Sequence, residues 1–426
     1  MSDKNKAILI GICTDNRIHE EKKASLQELQ KLADTAGVET VGRRIQNRES
    51  PDKRFYAGKG FLAEIIREMS EKNAGLLIFD NELSPSQGRN IEQEFEISVT
   101  DRTEVILKIF QEHAQTKEAR LQVRLAELQY QLPRLKRLWG HLDRVKGQAT
   151  GSSGTARGMG EKQIEVDKRL IRIEISRLKR EIAKIYRQKE TQRKQREKIR
   201  KVCLVGYTNA GKSTLFNQLT QAGVLVEDKL FATLDTTTRK LELDKGRDMI
   251  ISDTVGFIAN LPHHLVASFR ATLKDVVDAD LLLHVVDASD ENFSKNRQEV
   301  LQVLEQIGAD EIDQVLILNK MDITDKVILN SLLKTYPDSI TVSAARGEKM
   351  EELLETIDAR LHEARKRVLF IPHQKQRILS HLYELGKIVE MEYEEKGVKI
   401  TAVLNKEDLP EFEKYIISPG LKSDSK

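Results

Sequence analysis

The feature that most restricts the fold of this chain is an eight-residue stretch that matches the pattern G-x-x-x-x-G-K-S/T. It comprises Gly206, Tyr207, Thr208, Asn209, Ala210, Gly211, Lys212 and Ser213. The stretch follows an apolar run at 202–205 and precedes a helical pattern that contains Thr214. Such a loop holds a phosphate where a strand ends and a helix begins, because successive backbone N–H groups then face one anion. The stretch therefore predicts a strand-loop-helix unit within an α/β sheet.

The same alternation of strand and helix patterns continues along the chain. Apolar runs at 249–252, 281–286, 315–318 and 340–342 are separated by helical patterns. They predict a doubly wound parallel sheet, of the P-loop GTPase type, over 201–366. The first part of the chain alternates in the same way, which predicts an N-terminal α/β subdomain at 1–102. Shorter patterns at 367–426 predict a small C-terminal α+β unit with a disordered tail.

Two motifs at the ends of later strands identify the nucleotide. The first is D-x-x-G, formed by Asp253, Thr254, Val255 and Gly256, which is typical of a carboxylate near Mg²⁺ and a glycine N–H near the γ-phosphate. The second is N-K-x-D, formed by Asn319, Lys320, Met321 and Asp322. A carboxylate at Asp322 accepts hydrogen bonds from the guanine N1–H and N2 amino groups, which adenine does not present. The motifs therefore predict that GTP and GDP are the ligands.

The remaining positions complete this prediction. Lys212 is expected to contact the β- and γ-phosphates, and the Ser213 hydroxyl to bind Mg²⁺. A loop that contacts the guanine O6 through a backbone N–H is expected at Ser343, Ala344 and Ala345. We predict that Lys212, Ser213 and Gly256 act directly in GTP hydrolysis.

The switch and the hydrolytic group are less defined by the sequence. Four threonines occur at 231–238, and their position alone does not choose the Mg²⁺ ligand. The residue after D-x-x-G is Phe257, where Ras-like enzymes have the glutamine that orients water. Either another group or a partner orients the water, or hydrolysis is slow. His263 and His264 are candidates, the alternative being ordinary surface histidines.

Asn209 has two interpretations. An asparagine at this P-loop position resembles those of GTPases that recruit a monovalent cation, usually K⁺, beside the phosphates. Alternatively, its side chain stabilises the loop.

The charge distribution indicates a polyanionic partner. Residues 117–201 contain 25 Lys and Arg but 10 Asp and Glu, so that the rest of the chain carries a net charge of −12 although the whole carries +3. Leucines and isoleucines at heptad-like spacing predict an antiparallel helical hairpin over 103–200, with a kink at Pro133 and a glycine-rich tip at 147–160. A basic arm of this kind fits RNA; a merely solvated charged coiled coil is the alternative.

Other features concern the compartment of the protein. The two cysteines, Cys13 and Cys203, lie in apolar runs and are expected to be buried, reduced thiols. The amino terminus lacks an apolar signal segment, and no apolar run is long enough for a membrane span. These observations predict a cytoplasmic protein, and a monomer is the default expectation.

The chain as a whole resembles the HflX-type GTPases, which are ribosome-associated bacterial proteins. The resemblance is carried by LVGYTNAGKSTLF at 204–216, FATLD at 231–235, DTVGFIANLP at 253–262 and GMGEKQIE at 158–165. In this family a hydrophobic residue replaces the catalytic glutamine, as Phe257 does here. The resemblance implies a nucleotide-contacting switch at Phe231, Ala232, Thr233, Leu234 and Asp235, in which Thr233 is the Mg²⁺ ligand and a catalytic residue.

The resemblance also implies a function. Proteins of this type bind the large ribosomal subunit, place the helical arm near the peptidyl-transferase centre, and separate stalled ribosomes into subunits. The expectation is therefore a GTPase that contacts rRNA through the basic hairpin. Two alternatives remain open on the residues alone: a GTPase acting in another RNA process, such as RNA remodelling or tRNA modification, and a GTP-binding scaffold with little turnover.

Overall fold

The computed structural model describes residues 3–15, 19–135, 156–194, 199–221, 231, 236–243, 247–258, 273–361, 365–385, 387–394, 396–404 and 409–417. The chain divides into two compact units, one formed by 1–242 with 248–348 and the other by 243–247 with 349–426. Residues 3–135 are called the N-terminal region and residues 199–348 the central region; both belong to the first unit except for residues 243–247. The division into four domains stays a prediction.

The N-terminal region contains a four-stranded, wholly parallel sheet in the order β2-β1-β3-β4. The strands are β1 (Asp3–Cys13), β2 (Glu39–Asn47), β3 (Ala74–Phe79) and β4 (Ser98–Asp101). The helices are α1 (His19–Thr35), α2 (Lys59–Glu71), α3 (Pro85–Phe95) and α4 (Arg102–His113). Residues 7–10 of β1 are fully buried, as expected for a parallel strand covered on both faces. The predicted α/β subdomain architecture is confirmed.

The basic hairpin begins with α5 (Lys117–Gln131), which ends in a 3-10 turn at Leu132–Arg134. Pro133 lies in this turn because it has no N–H for a helical hydrogen bond, so that the chain departs from α-helix where a kink was expected. The partner helix is α6 (Ala156–Lys194). Leu125 and Leu128 pack against Leu178 and Ile182, which confirms the helix-helix seam.

The glycine-rich tip is shorter than predicted. It was expected to end at residue 160, but α6 already begins at Ala156 and includes Gly158 and Gly160. Each glycine inside a helix lowers the stability of the helix by about 1 kcal/mol relative to alanine. In α6 the other residues of the 39-residue helix offset this cost. Residues 136–155 lie outside the described part of the chain.

The central region contains a six-stranded sheet in the order β10-β9-β8-β5-β7-β6. The strands are β5 (Arg200–Gly206), β6 (Thr237–Leu243), β7 (Arg247–Asp253), β8 (Leu281–Asp287), β9 (Gln314–Asn319) and β10 (Ile340–Thr341). The helices are α7 (Lys212–Thr220), α8 (Lys274–Val277), α9 (Phe293–Ile307) and α10 (Lys326–Thr335). Pairing is parallel from β10 through β9, β8 and β5 to β7, which confirms the doubly wound arrangement.

The second unit is a small α+β fold. It contains α11 (Met350–Leu361), β11 (Arg365–Pro372), α12 (Gln376–Leu385), β12 (Lys387–Glu394), β13 (Gly397–Leu404) and α13 (Leu409–Phe412). Its antiparallel sheet has the order β11-β13-β12, and Leu382 and Phe412 are fully buried against it. The expected tail at 420–426 lies outside the described residues.

Both cysteines are buried free thiols, as expected. Cys13 ends β1 in the first sheet and Cys203 lies within β5 of the second. In the part of the chain that the structure describes, no helix is both long and apolar enough to cross a bilayer.

Candidate nucleotide-binding site

The predicted phosphate loop connects β5 to α7, and glycine is required at both of its ends. A side chain at Gly206 would place its Cβ 2.2 Å from the carbonyl oxygen of Val285. At Gly211, which has φ +90°, a Cβ would lie 2.2 Å from Nδ2 of Asn319. The loop can therefore pack against β8 and β9 only with glycine at these positions. It presents the amino terminus of α7 where a phosphate was predicted.

Lys212 is buried at the first position of α7. Its ammonium donates to the carbonyl oxygens of Gly206 at 3.1 Å and Tyr207 at 2.9 Å, both within its own loop. Burial lowers the pKa of Lys212 to about 8, and the Asp253 carboxylate acts in the opposite direction. The free protein thus holds a cation whose proton is less tightly bound than that of an exposed lysine.

Asp253 ends β7 beside this lysine and is fully buried. Neither of its carboxylate oxygens has a hydrogen-bond partner among the described residues. Burial raises its pKa, opposed by the Lys212 ammonium, the nearby Ser213 hydroxyl and the Thr254 N–H. A buried carboxylate with unsatisfied oxygens, next to a serine hydroxyl, has the oxygen ligands that a Mg²⁺ ion takes. These residues fit the metal that the sequence predicted.

The D-x-x-G segment lies directly against the phosphate loop. A Cβ at Gly256 would come within 2.8 Å of the Thr208 methyl carbon and 2.9 Å of Nζ of Lys212. Phe257 donates from its N–H to the Gly206 carbonyl at 3.1 Å, and its own carbonyl accepts from the Thr208 N–H at 2.7 Å. The Phe257 side chain is buried in the core of the central region. Phe257 is therefore a structural anchor, a role that the motif pattern did not indicate.

Asn319 connects three of the predicted loops. Its Nδ2 donates to the carbonyl of Ala210 at 2.8 Å, and its Oδ1 accepts from the Ala344 N–H at 3.0 Å. Asn319 therefore contacts the phosphate loop directly. One side chain at the end of β9 thereby fixes the loop after β5 relative to the loop after β10.

The Asp322 carboxylate lies on the same edge of the sheet and is fixed by neighbouring side chains. It accepts from the Ser343 hydroxyl at 2.8 Å, and Arg346 lies 3.4 Å away. Lys320, at φ +63°, forms an ion pair with Asp287 at 2.7 Å, and Met321 donates from its N–H to Val342 at 3.2 Å. The loops carrying the N-K-x-D and Ser343–Ala344 motifs thus lie together, as their positions at strand ends predicted.

Of the remaining predicted residues, the structure describes Asn209 and Phe231. Asn209 is exposed with φ +60°, a left-handed conformation that asparagine tolerates better than most residues. Phe231 is buried, with its ring centroid 4.6 Å from that of Phe110. Ala232, Thr233, Leu234, Asp235, His263 and His264 lie outside the described residues.

The structure also shows a contact that sequence reasoning missed. The Tyr207 hydroxyl, in the phosphate loop, donates to a carboxylate oxygen of Glu28 in α1 at 2.6 Å. Glu28 also pairs with the buried Arg102, which reaches Asp80 at 2.8 Å. The phosphate loop is thereby bonded to an ion network inside the N-terminal region.

Known proteins resemble this chain along nearly its whole length. Three family models match in succession: GTP-binding GTPase N-terminal at 23–111, GTP-binding GTPase middle region at 113–196, and 50S ribosome-binding GTPase at 201–320. GTPase HflX of Caldanaerobacter subterraneus subsp. tengcongensis is 41% identical over 417 residues, which are 98% of this chain and 95% of that protein. The chain belongs to the HflX GTPase family.

One more HflX protein and one solved structure are also similar to the chain. GTPase HflX of Escherichia coli K12 is 40% identical over 375 residues, or 87% of each chain. A crystal structure of an SsGBP–GDP complex is similar over 83% of this chain and 97% of its own, with 26% identity and a TM-score of 0.45. As an HflX GTPase, the protein binds GTP and GDP and hydrolyses GTP.

Proposed function

We propose that this HflX protein binds the large ribosomal subunit and, in its GTP state, dissociates stalled or idle ribosomes into subunits; GTP hydrolysis then releases it. The main support for the GTP site is the buried Asp253, whose carboxylate oxygens are unsatisfied and which lies beside Lys212 and the glycine loop. The ribosomal part is supported by the family model for residues 201–320, described as a 50S ribosome-binding GTPase, and by the basic hairpin.

The phosphates are bound by the backbone N–H groups of the loop, by the amino terminus of α7 and by Lys212. Ser213 and Thr233 would hold Mg²⁺, with Asp253 acting through water, and the metal would supply positive charge that offsets the negative charge of the phosphates. The Gly256 N–H contacts the γ-phosphate. Rate enhancement then comes mainly from these fixed charges and dipoles.

Specificity and hydrolysis use different groups. Asp322 recognises the guanine N1–H and N2 amino group, while the loop at Ser343, Ala344 and Ala345 contacts O6. The buried Phe257 side chain has no polar atom to orient water, so we propose that the ribosome stimulates hydrolysis. Asn209, which is exposed within the phosphate loop, recruits K⁺.

The hairpin is the rRNA-binding element of this proposal. On the described part of α6, exposed basic side chains are distributed along the helix: Arg169, Arg172, Arg177, Lys179, Arg180, Lys184 and Arg187. Clustered cations of this kind neutralise phosphates and release counterions, which favours binding to RNA. Residues 147–155, the rest of the predicted glycine-rich tip, precede α6 in the sequence.

The test measures GTP hydrolysis with and without purified large ribosomal subunits, in K⁺ and again in Na⁺. Strong stimulation by the subunit, with loss of hydrolysis in Lys212→Ala, supports the proposal; dependence on K⁺ supports the role of Asn209. Shortening 147–155, which leaves α6 intact, should spare GTP binding but reduce subunit separation. Stimulation by tRNA or duplex RNA instead of the subunit would favour the alternative RNA process.

A further inference from the structure

Residues 255–258, which span the end of the D-x-x-G motif and the two residues after it, are anchored in two different cores. The side chains of Val255 and Ile258 belong to the buried cluster built from the N-terminal region, which includes Leu29 and Phe110. Phe257, between them, is buried instead in the cluster of the central region. Gly256 therefore sits between side chains that are held from opposite sides by two parts of the chain.

The start of the predicted switch is held by the same N-terminal cluster. Phe231 is 2% exposed, and its ring meets that of Phe110 in α4 edge to face, at 4.6 Å and 73°. Phe231 has φ +61°, a left-handed conformation that costs about 1–3 kcal/mol for a bulky residue. Such a conformation persists only where the surrounding packing fixes it, and Phe110 is part of that packing.

The position of Gly256 is sensitive to this packing. Its Cα carries no side chain, and a Cβ there would already approach Lys212 and Thr208 to less than 3 Å. A shift of the Val255 and Ile258 side chains would therefore change the separation of Gly256 from the phosphate loop. Because interiors pack as densely as crystals, a change in the N-terminal cluster is transmitted rather than absorbed.

We infer that Phe110, a residue of the N-terminal region, is a positioning residue for the GTP site, because it holds Phe231 and the cluster that anchors Gly256. The inference rests on the proposed role of Gly256 at the γ-phosphate. It predicts that Phe110 contributes to the affinity for GTP and not to that for GDP, which lacks the group that Gly256 contacts. By linkage, bound GTP stabilises the packing of the cluster around Phe110 by the same factor.

The matched comparison uses Phe110→Leu and Phe79→Leu in the full chain. Both phenylalanines are at most 1% exposed in the N-terminal region, but Phe79 lies in the cluster on the other face of the first sheet. Dissociation constants are measured for a non-hydrolysable GTP analogue and for GDP, both with Mg²⁺, alongside urea unfolding. Phe110→Leu should weaken analogue binding about three- to tenfold, which is the change in dissociation constant that the loss of one aromatic pair produces. GDP binding should change less than about twofold, and Phe79→Leu should change neither.

A double-mutant cycle identifies the contact responsible. Phe231→Leu should weaken analogue binding as much as Phe110→Leu does. The double variant should bind the analogue only slightly more weakly than either single variant, because both changes remove the same contact. Equal weakening of analogue and GDP, an unchanged analogue affinity in Phe110→Leu, or fully additive losses would overturn the inference. Failure of the wild-type protein to bind the analogue would instead overturn the proposed site itself.

Discussion

The buried Lys212 ammonium makes nucleotide binding depend on pH in a defined way. Burial lowers its pKa to about 8 in the free protein, whereas the β-phosphate of a bound nucleotide at hydrogen-bonding distance would raise it well above that value. Binding then requires a proton on Lys212, and above pH 8 that proton has to be taken up from solution. With a free pKa of about 8, the dissociation constant for GDP should rise about tenfold from pH 7 to pH 9.

The measurement is a titration of GDP affinity between pH 7 and pH 9 at fixed Mg²⁺ and ionic strength. The control is Lys212→Met, which binds more weakly throughout and keeps any titration of the guanine ring but lacks the lysine. Between pH 7 and pH 9 the wild-type dissociation constant should therefore rise by a factor about ten times that of the control. A wild-type affinity that is constant over this range, or parallel to that of Lys212→Met, would refute the assignment of Lys212 as a buried phosphate-binding cation.

The same lysine affects the stability of the nucleotide-free protein with the opposite sign. Its pKa is lowered in the folded state, so between about pH 8 and the ordinary lysine pKa the unfolded chain binds more protons. The free energy of unfolding should therefore rise with pH in this window, by up to about 3 kcal/mol relative to Lys212→Met. Urea unfolding of both proteins at pH 7 and pH 10 measures the difference.

Three substitutions test other parts of the site. Tyr207→Phe removes the hydrogen bond to Glu28 and should lower the free energy of unfolding by about 1–2 kcal/mol in urea, whereas Tyr393→Phe, at a position 73% exposed, should change it little. Asp322→Asn should weaken GTP and strengthen xanthosine triphosphate in competition binding, because the amide can donate to the xanthine O2; unchanged selectivity would contradict the guanine assignment. Phe257→Gln should not accelerate single-turnover hydrolysis, and should destabilise the fold by about 2–4 kcal/mol because an amide replaces a buried ring.

Much of the central region could be predicted because its motifs are local in sequence. A phosphate loop requires a strand before it and a helix after it, and β5 and α7 lie where this rule places them. Asn319 and Asp322 follow β9 for the same reason, since parallel strands bring their carboxyl ends to one edge.

The features that were missed depend on contacts between distant residues. Tyr207 and Glu28 are 179 positions apart, and nothing in either local pattern indicates that they are bonded. The strand β12 was also not predicted, because glutamates interrupt its apolar residues; it is stabilised by pairing with β13 and by packing of Ile388 and Met391 against the core of the second unit. The early start of α6 reflects the length of the helix rather than the preference of its glycines.

The two buried cysteines give each sheet of the first unit its own chemical reporter. Cys13 donates its thiol proton to the Asp15 carbonyl at 3.0 Å, and burial raises the pKa of Cys203 well above its ordinary value. A thiol-specific reagent reacts with the thiolate, so it can modify either residue only after the surrounding strands separate. Labelling rates on the wild-type chain therefore measure the opening of β1 and of β5 separately, without an introduced probe. A ligand that closes the phosphate loop next to Cys203 would be detected as a slower rate at that one residue.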